Sequence, residues 1–143
     1  MAAVIIIDDR ILLVRQSRGG AHYHLLPGGG VERGETVEAA LTREVAEETG
    51  LDVRIGRPLF ISDSIAPDGH RHLVNLTFVA QVTGGKLADP AEPTILGLDL
   101  VSPVELATID LRPPIAEQLV RAWDAGFDVP AEYLGLLWTE DAT

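Results

Sequence analysis

Cysteine is absent from all 143 residues, which rules out a disulfide framework and any thiol chemistry. Basic charge is scarce: 11 Lys and Arg stand against 22 Asp and Glu, for a formal charge of −11. A surface built to hold nucleic acid needs a basic face, so that class of partner is excluded. No apolar run approaches the ~20 residues that span a bilayer. The stretch from Met1 to Asp9 has no basic leader, and its apolar run is too short for a signal peptide. A soluble cytoplasmic protein with no membrane partner is expected. Internal repeats, linkers and low-complexity tracts are also missing. At this length one domain, residues 1–143, is expected, long enough to bury a core.

What is present is concentrated between Gly29 and Leu51. Thr36 can cap a helix start and Gly50 can stop it. Between them Val37, Ala40, Leu41 and Val45 form a stripe at helical spacing, the buried side of an amphipathic helix. Glu44, Glu47 and Glu48 fall at i, i+3 and i+4, and so share another face. Like charges at that spacing weaken a helix by about 0.2–0.5 kcal/mol per pair, so a positive partner is expected. Hard carboxylate oxygens suit Mg²⁺ or Mn²⁺, and such ions at phosphates point to phosphoryl chemistry. Ahead of the helix, Pro27-Gly28-Gly29-Gly30 lets the main chain approach a ligand closely.

The register Gly29, Glu35, Arg43-Glu44-Val45, Glu47-Glu48, Gly50-Leu51 resembles an uninterrupted Nudix box, the signature of hydrolases that cut diphosphates linked to another group. The resemblance implies an α/β Nudix fold, with mixed β-sheets sandwiched between α-helices. It also implies that Glu44, Glu47 and Glu48, with the carbonyl of Gly28, hold the divalent metal. Glu35 and Arg43 resemble the pair that braces the loop against the helix. Glu47 or Glu48 would activate the water; where a later loop supplies the base in other members, Glu92, and after it Asp89, is the candidate here. Two positions depart from the pattern: His24 and Leu100 stand where many members carry an aromatic. Both lie outside the chemistry and bear on substrate recognition.

The rest of the chain reads as strands and two further helices. Val4–Ile7 and Ile11–Val14 form a hairpin, 16–23 is a loop, and 24–26 is a short strand. Strands follow over 53–65, 72–82 and 95–101, with a turn at Pro67-Asp68-Gly69. Ser102-Pro103-Val104-Glu105 is a capping box. Pro113-Pro114 opens a last helix along which Ile115, Leu119 and Trp123 step by four. Strands with helices on their faces make an α/β sandwich. His22/His24 and His70/His72 read as polar loop and strand-end residues, with His24 a candidate for stacking on a base. Trp123, Tyr133 and Trp138 read as core packing, or as the apolar cover of a homodimer interface.

The expected function is Mg²⁺- or Mn²⁺-dependent cleavage of a pyrophosphate linkage in a small nucleotide. ADP-ribose or a nucleotide sugar is the first choice of substrate, with Pro67 as a slight pointer to ADP-ribose. The alternatives are a nucleoside triphosphate, normal or oxidised, and a non-catalytic nucleotide sensor. A calcium protein is set aside because no Asp-rich ligand loop is present. The ten arginines are available for phosphate contacts.

Overall fold

A computed structural model describes residues 1–90 and 92–138. Its amino-terminal hairpin joins β1 (Ala2–Ile7) to β2 (Arg10–Arg18). Asp8 and Asp9 take up the reversal at φ 50° and 60°, the left-handed pair that a tight hairpin turn demands and that Asp tolerates better than most residues. β2 continues past Val14 and pairs with β3 (Ala21–Leu25), Arg18 facing Ala21. The expected loop at 16–23 is therefore a second hairpin, turned on Gly19-Gly20 at φ 58° and 83°. A two-residue Gly-Gly connection closes antiparallel strands without steric cost, whatever polar side chains flank it.

α1 (Val37–Thr49) starts where Thr36 caps it, the Ala39 N–H donating to the hydroxyl at 3.1 Å. It stops at Gly50, at φ 78°. A side chain at Gly50 would lie 2.3 Å from the Lys86 carbonyl oxygen, so both its dihedral and its surroundings require glycine. β4 (Leu51–Ile65) and β5 (His72–Gly85) form the longest antiparallel pair, with register shifts on either side of Pro58. A proline cannot donate to a ladder, and it sits where the ladder is broken. β6 (Ile95–Val101) lies against β2, and α2 (Pro103–Leu106) follows from its capping box on Ser102 and Glu105.

The last helix, α3, spans Ala116–Asp124. It begins after the paired prolines rather than on them: the Ile115 N–H turns back to the Pro113 carbonyl at 2.8 Å, and Ile115 is the N-cap residue. β7 (Glu132–Leu136), which the residue pattern does not announce, runs parallel to β4. The sheet order is β3-β2-β1-β5-β4-β7, with β6 added to β2.

β1 alternates between two cores. Ala3 and Ile5 pack with Leu12, Leu41 and Val45 beneath α1. Val4 points the other way, into a cluster with Leu13, Leu59, Leu106 and Leu119 beneath α2 and α3. Period-two alternation on a strand covered on both faces accounts for the arrangement. Leu41 and Leu119 are 0% exposed, and side chains buried to that extent each stabilise the fold by about 1.5–3 kcal/mol. The helices thus lie on opposite faces of the strands, and the polar face of α1 stays open above β1 and β5. Among the described residues no helix is long and apolar enough to cross a membrane.

Candidate functional site

The polar face of α1 carries Glu44, Glu47 and Glu48, and the 28–30 loop passes over it. That loop is tied to β1: the Ala3 N–H donates to the Pro27 carbonyl at 2.8 Å, and the Gly29 N–H to the Met1 carbonyl at 2.9 Å. A Cβ on Gly29 would sit 2.4–2.6 Å from the Glu44 carboxyl atoms, whereas one on Gly30 would meet nothing. Of the consecutive glycines, Gly29 is the one the carboxylate face demands, and Gly30 has no such constraint.

Arg43 joins the loop to the helix. Its Nε and Nη2 donate to the two oxygens of Glu35 at 2.8 and 2.9 Å, and Nη2 also reaches the Gly30 carbonyl at 3.3 Å. Nη1 donates to Glu44 at 3.1 Å and to both oxygens of Glu47 at 3.4 Å. A guanidinium has five N–H groups in a fixed fork and can hold this many partners at once. Hydrogen bonds from Arg43, and then from the Glu32 N–H, hold the Glu35 carboxyl down to about 2. The contribution of that brace to folding is present above the ordinary carboxylate range and is lost as pH falls toward 2.

Glu48 is in a different state. Its Oε1 accepts from the Gly28 N–H at 3.3 Å. Burial pushes its carboxyl up to about 7; the Gly28 bond opposes this, and the charges of Glu44, Glu92 and Glu47 reinforce it. A carboxyl with a higher pKa in the folded than in the unfolded chain favours folding while protonated. That benefit fades as pH rises through about 7. Glu48→Gln is therefore expected to raise the melting temperature of metal-free protein at pH 8 by ~3–8 °C and to change it little at pH 5. Thermal unfolding in EDTA at the two pH values checks this; an equal shift at both would show that the charge is not the cause.

Glu44, Glu47, Glu48 and Glu92 line one cavity of about 780 Å³, together with Gly28 and Arg112. Asp89 does not line it. Among the described residues no three His, Asp or Glu side chains form a closed ligand set. Glu44 and Glu47 are instead turned onto Arg43.

A second cavity of about 270 Å³ opens beside the first and shares Gln16, Leu25, Leu73, Asn75, Arg112 and Pro113 with it. Two arginine–aromatic pairs line it: Arg112 lies 4.3 Å from the Tyr23 ring centroid and Arg71 lies 5.6 Å from that of Trp138. His24 lines neither cavity. Its Nε2 is hydrogen-bonded to Asp99 at 2.8 Å, and Asp99 also pairs with Arg15 at 2.9 Å. Neighbouring strand residues face opposite ways, so the aromatic presented to the cavity is Tyr23, one position earlier. His72 is bonded to Asp63 at 2.9 Å, and Pro67 stays in its turn; neither reaches a cavity. A further cavity of about 800 Å³ lies between α2 and α3, lined by residues such as Leu106, Leu111 and Val120, and it shares no residue with the carboxylate cavity. Residue order alone singles out neither Tyr23, Asn75, Arg71 nor Arg112, because only the sheet order β3-β2-β1-β5 and the bond from the Arg112 N–H to the His24 carbonyl bring them together.

A family model of the NUDIX domain matches residues 1–122. Over 81 residues the chain is 41% identical to the ADP-ribose pyrophosphatase of Methanocaldococcus jannaschii, a match covering 56% of this chain and 48% of that protein, about half its length. It is 27% identical over 136 residues to the phosphatase NudJ of Escherichia coli, covering 94% of this chain and 88% of that one. Among solved structures, a NUDIX hydrolase from Nitrosomonas europaea superposes with a TM-score of 0.75 at 30% identity, covering 87% of this chain and 86% of the other.

Proposed function

Because the chain belongs to the Nudix family, with its α/β fold, we propose that it hydrolyses the pyrophosphate linkage of a nucleoside diphosphate bound to a second group. The single observation that carries this reading is the cavity that Glu44, Glu47, Glu48 and Glu92 all line. ADP-ribose is the first substrate to test, since that is the substrate named for the Methanocaldococcus relative.

The donor set fits a hard divalent cation. The carboxylates are oxygen ligands, and Glu48 is a half-buried acid with no cationic partner among its charge neighbours. Glu44, Glu47 and Glu48, with the Gly28 carbonyl, would hold Mg²⁺ or Mn²⁺. Such an ion screens the diphosphate and acidifies water. The rest falls to the chain. Arg43 and Glu35 fix the loop and the helix at one separation. The glycines keep side chains out of the diphosphate's path. Arg112, at the border of the two cavities, steadies the phosphate nearer the second one. Glu47, Glu48 or Glu92 accepts the proton of the attacking water.

Single variants separate those acids. The residue acting as base is expected to lose about 10²–10⁴-fold in kcat when changed to Gln, with its limb of the pH–rate profile gone. A Glu92→Gln enzyme within a few-fold of the parent would assign the role to Glu47 or Glu48 on α1. The function itself is tested with a panel of ADP-ribose, nucleotide sugars, dinucleoside polyphosphates and triphosphates, with Mg²⁺ or Mn²⁺, products resolved by chromatography. Silence across the panel would overturn the reading.

A further inference from the structure

We propose that the free edge of β5, the main chain of Val74 and Leu76, binds the vicinal hydroxyls of a sugar bonded directly to the diphosphate, so that ribosyl substrates are preferred over their 2-deoxy counterparts. This deepens the hydrolase reading above and rests on it.

β5 outruns the strand beside it. It starts at His72, whereas its pairing with β1 starts only where Ala2 lies opposite Thr77. Residues 72–76 are paired to β4 alone, and their other edge is open. That edge faces the carboxylates, for residues 73–77 all line the cavity of Glu44, Glu47, Glu48 and Glu92. Side chains alternate along a strand. Consecutive residues therefore line one cavity only if it meets the strand edge-on, at its main chain.

The register decides which main-chain groups point outward. The Ala3 N–H and the Met1 carbonyl are bonded to Pro27 and Gly29, so Ala2 turns its own polar groups toward β5. With Ala2 opposite Thr77, those groups meet Leu76 and Phe78 rather than Thr77 itself. Leu76 thus points away from β4. The pairing with β4 runs without a shift from Thr77 to His72, so Val74, two residues earlier, points the same way. The Leu76 N–H and both polar groups of Val74 lie beyond the end of β1. Among the described residues none of them is bonded to a loop or to β1.

Val74 presents an N–H beside a C=O, and Leu76 adds an N–H roughly 7 Å further along. A hydroxyl both donates and accepts, so a vicinal pair can meet the two groups of Val74 at once. A phosphate oxygen only accepts, and the Val74 carbonyl would oppose it. The flanking side chains suit the same ligand. Leu73 and Val74 are 57% and 60% exposed, apolar surface for the C–H faces of a sugar ring. Covalent order adds reach: a sugar is attached to the diphosphate itself, whereas a base lies one unit further off.

The test uses the full chain, labelled with ¹⁵N and supplied with Mg²⁺. It is titrated with ribose 5-phosphate, 2-deoxyribose 5-phosphate and inorganic phosphate, none of which has a pyrophosphate linkage to cut. The Val74 and Leu76 amide signals are expected to move with ribose 5-phosphate, which should bind about tenfold tighter than the 2-deoxy sugar. Val74→Pro removes one N–H that β4 does not use, and an edge tolerates proline at such a position. The variant should fold, lose that margin, and lose about tenfold in kcat/KM on ADP-ribose. If it unfolds, the three ligands on the parent protein still decide. No movement of the two signals with ribose 5-phosphate, or equal movement with all three ligands, would overturn the assignment. A folded Val74→Pro protein with the margin intact would do the same. Ribose-selective binding without hydrolysis of any panel member would defeat the enzymatic reading and leave the edge standing. Hydrolysis indifferent to the 2-hydroxyl and to Val74→Pro would do the reverse.

Discussion

With Glu47 and Glu48 both changed to Gln, hydrolysis is expected to fall by about 10³-fold or more while the fold persists. The two side chains lie on the polar face of α1, away from the stripe of Ala40, Leu41 and Val45 that anchors the helix. Neither contributes to a core, and removal of the Glu48 charge relieves an unfavourable burial, so the melting temperature of the metal-free protein should hold or rise. The loss should appear in kcat and in Mn²⁺ affinity together, the latter read by calorimetry without any substrate. A variant that keeps activity within tenfold would remove both residues from the chemistry. A nucleotide sensor would behave differently: its ligand binding and its effect on a partner would survive.

Arg43→Lys is expected to cost about 100-fold in turnover, nearly as much as Arg43→Ala. Arg43 reaches Glu35, the Gly30 carbonyl, Glu44 and Glu47 from one planar group. An ammonium on a flexible stem keeps the charge but cannot span that fan of acceptors. The loop and the helix would then shift relative to each other, and a displacement of about 1 Å at a reacting group is enough for a 100-fold effect. A second readout isolates the positioning role: with the fork gone, the Glu35 carboxyl should climb from about 2 back toward the ordinary range, a change visible by NMR titration. Full activity in the lysine variant would reduce Arg43 to a generic counter-charge.

The segment from Thr36 to Gly50 was readable from residue order because everything that defines it is local. The cap, the stripe, the acidic face and the stop all lie within four residues of their partners. The hairpin at Asp8-Asp9 and the capping box at Ser102 are legible for the same reason. β7 is not, since its pairing sets Phe60 opposite Glu132, and nothing near 132 encodes position 60. The three late aromatics show the same limit. Grouped in sequence, they separate in space: Trp123 packs edge-on against Phe127 at 5.9 Å, Tyr133 is exposed and bonded to Asp63, and Trp138 lines the smaller cavity. His24, the candidate for stacking, faces Asp99 and lines neither cavity, because strand alternation puts neighbouring residues on opposite faces of the sheet.

β1 has a consequence for how this protein behaves once it opens. Ala-Ala-Val-Ile-Ile-Ile carries no charge and no proline, is paired on both edges, and is covered on both faces. Short uncharged segments of high β-propensity are the ones that pair with copies of themselves when released. Heating past the transition frees this strand and leaves Ile11 to Val14 beside it in the chain. Self-association should then outrun refolding, so that melting is irreversible and its midpoint moves with scan rate. Variants are best ranked at one fixed heating rate or by denaturant, and a single Lys at Ile7, the half-buried end of the strand, should recover solubility after heating sooner than any change at the carboxylate cavity.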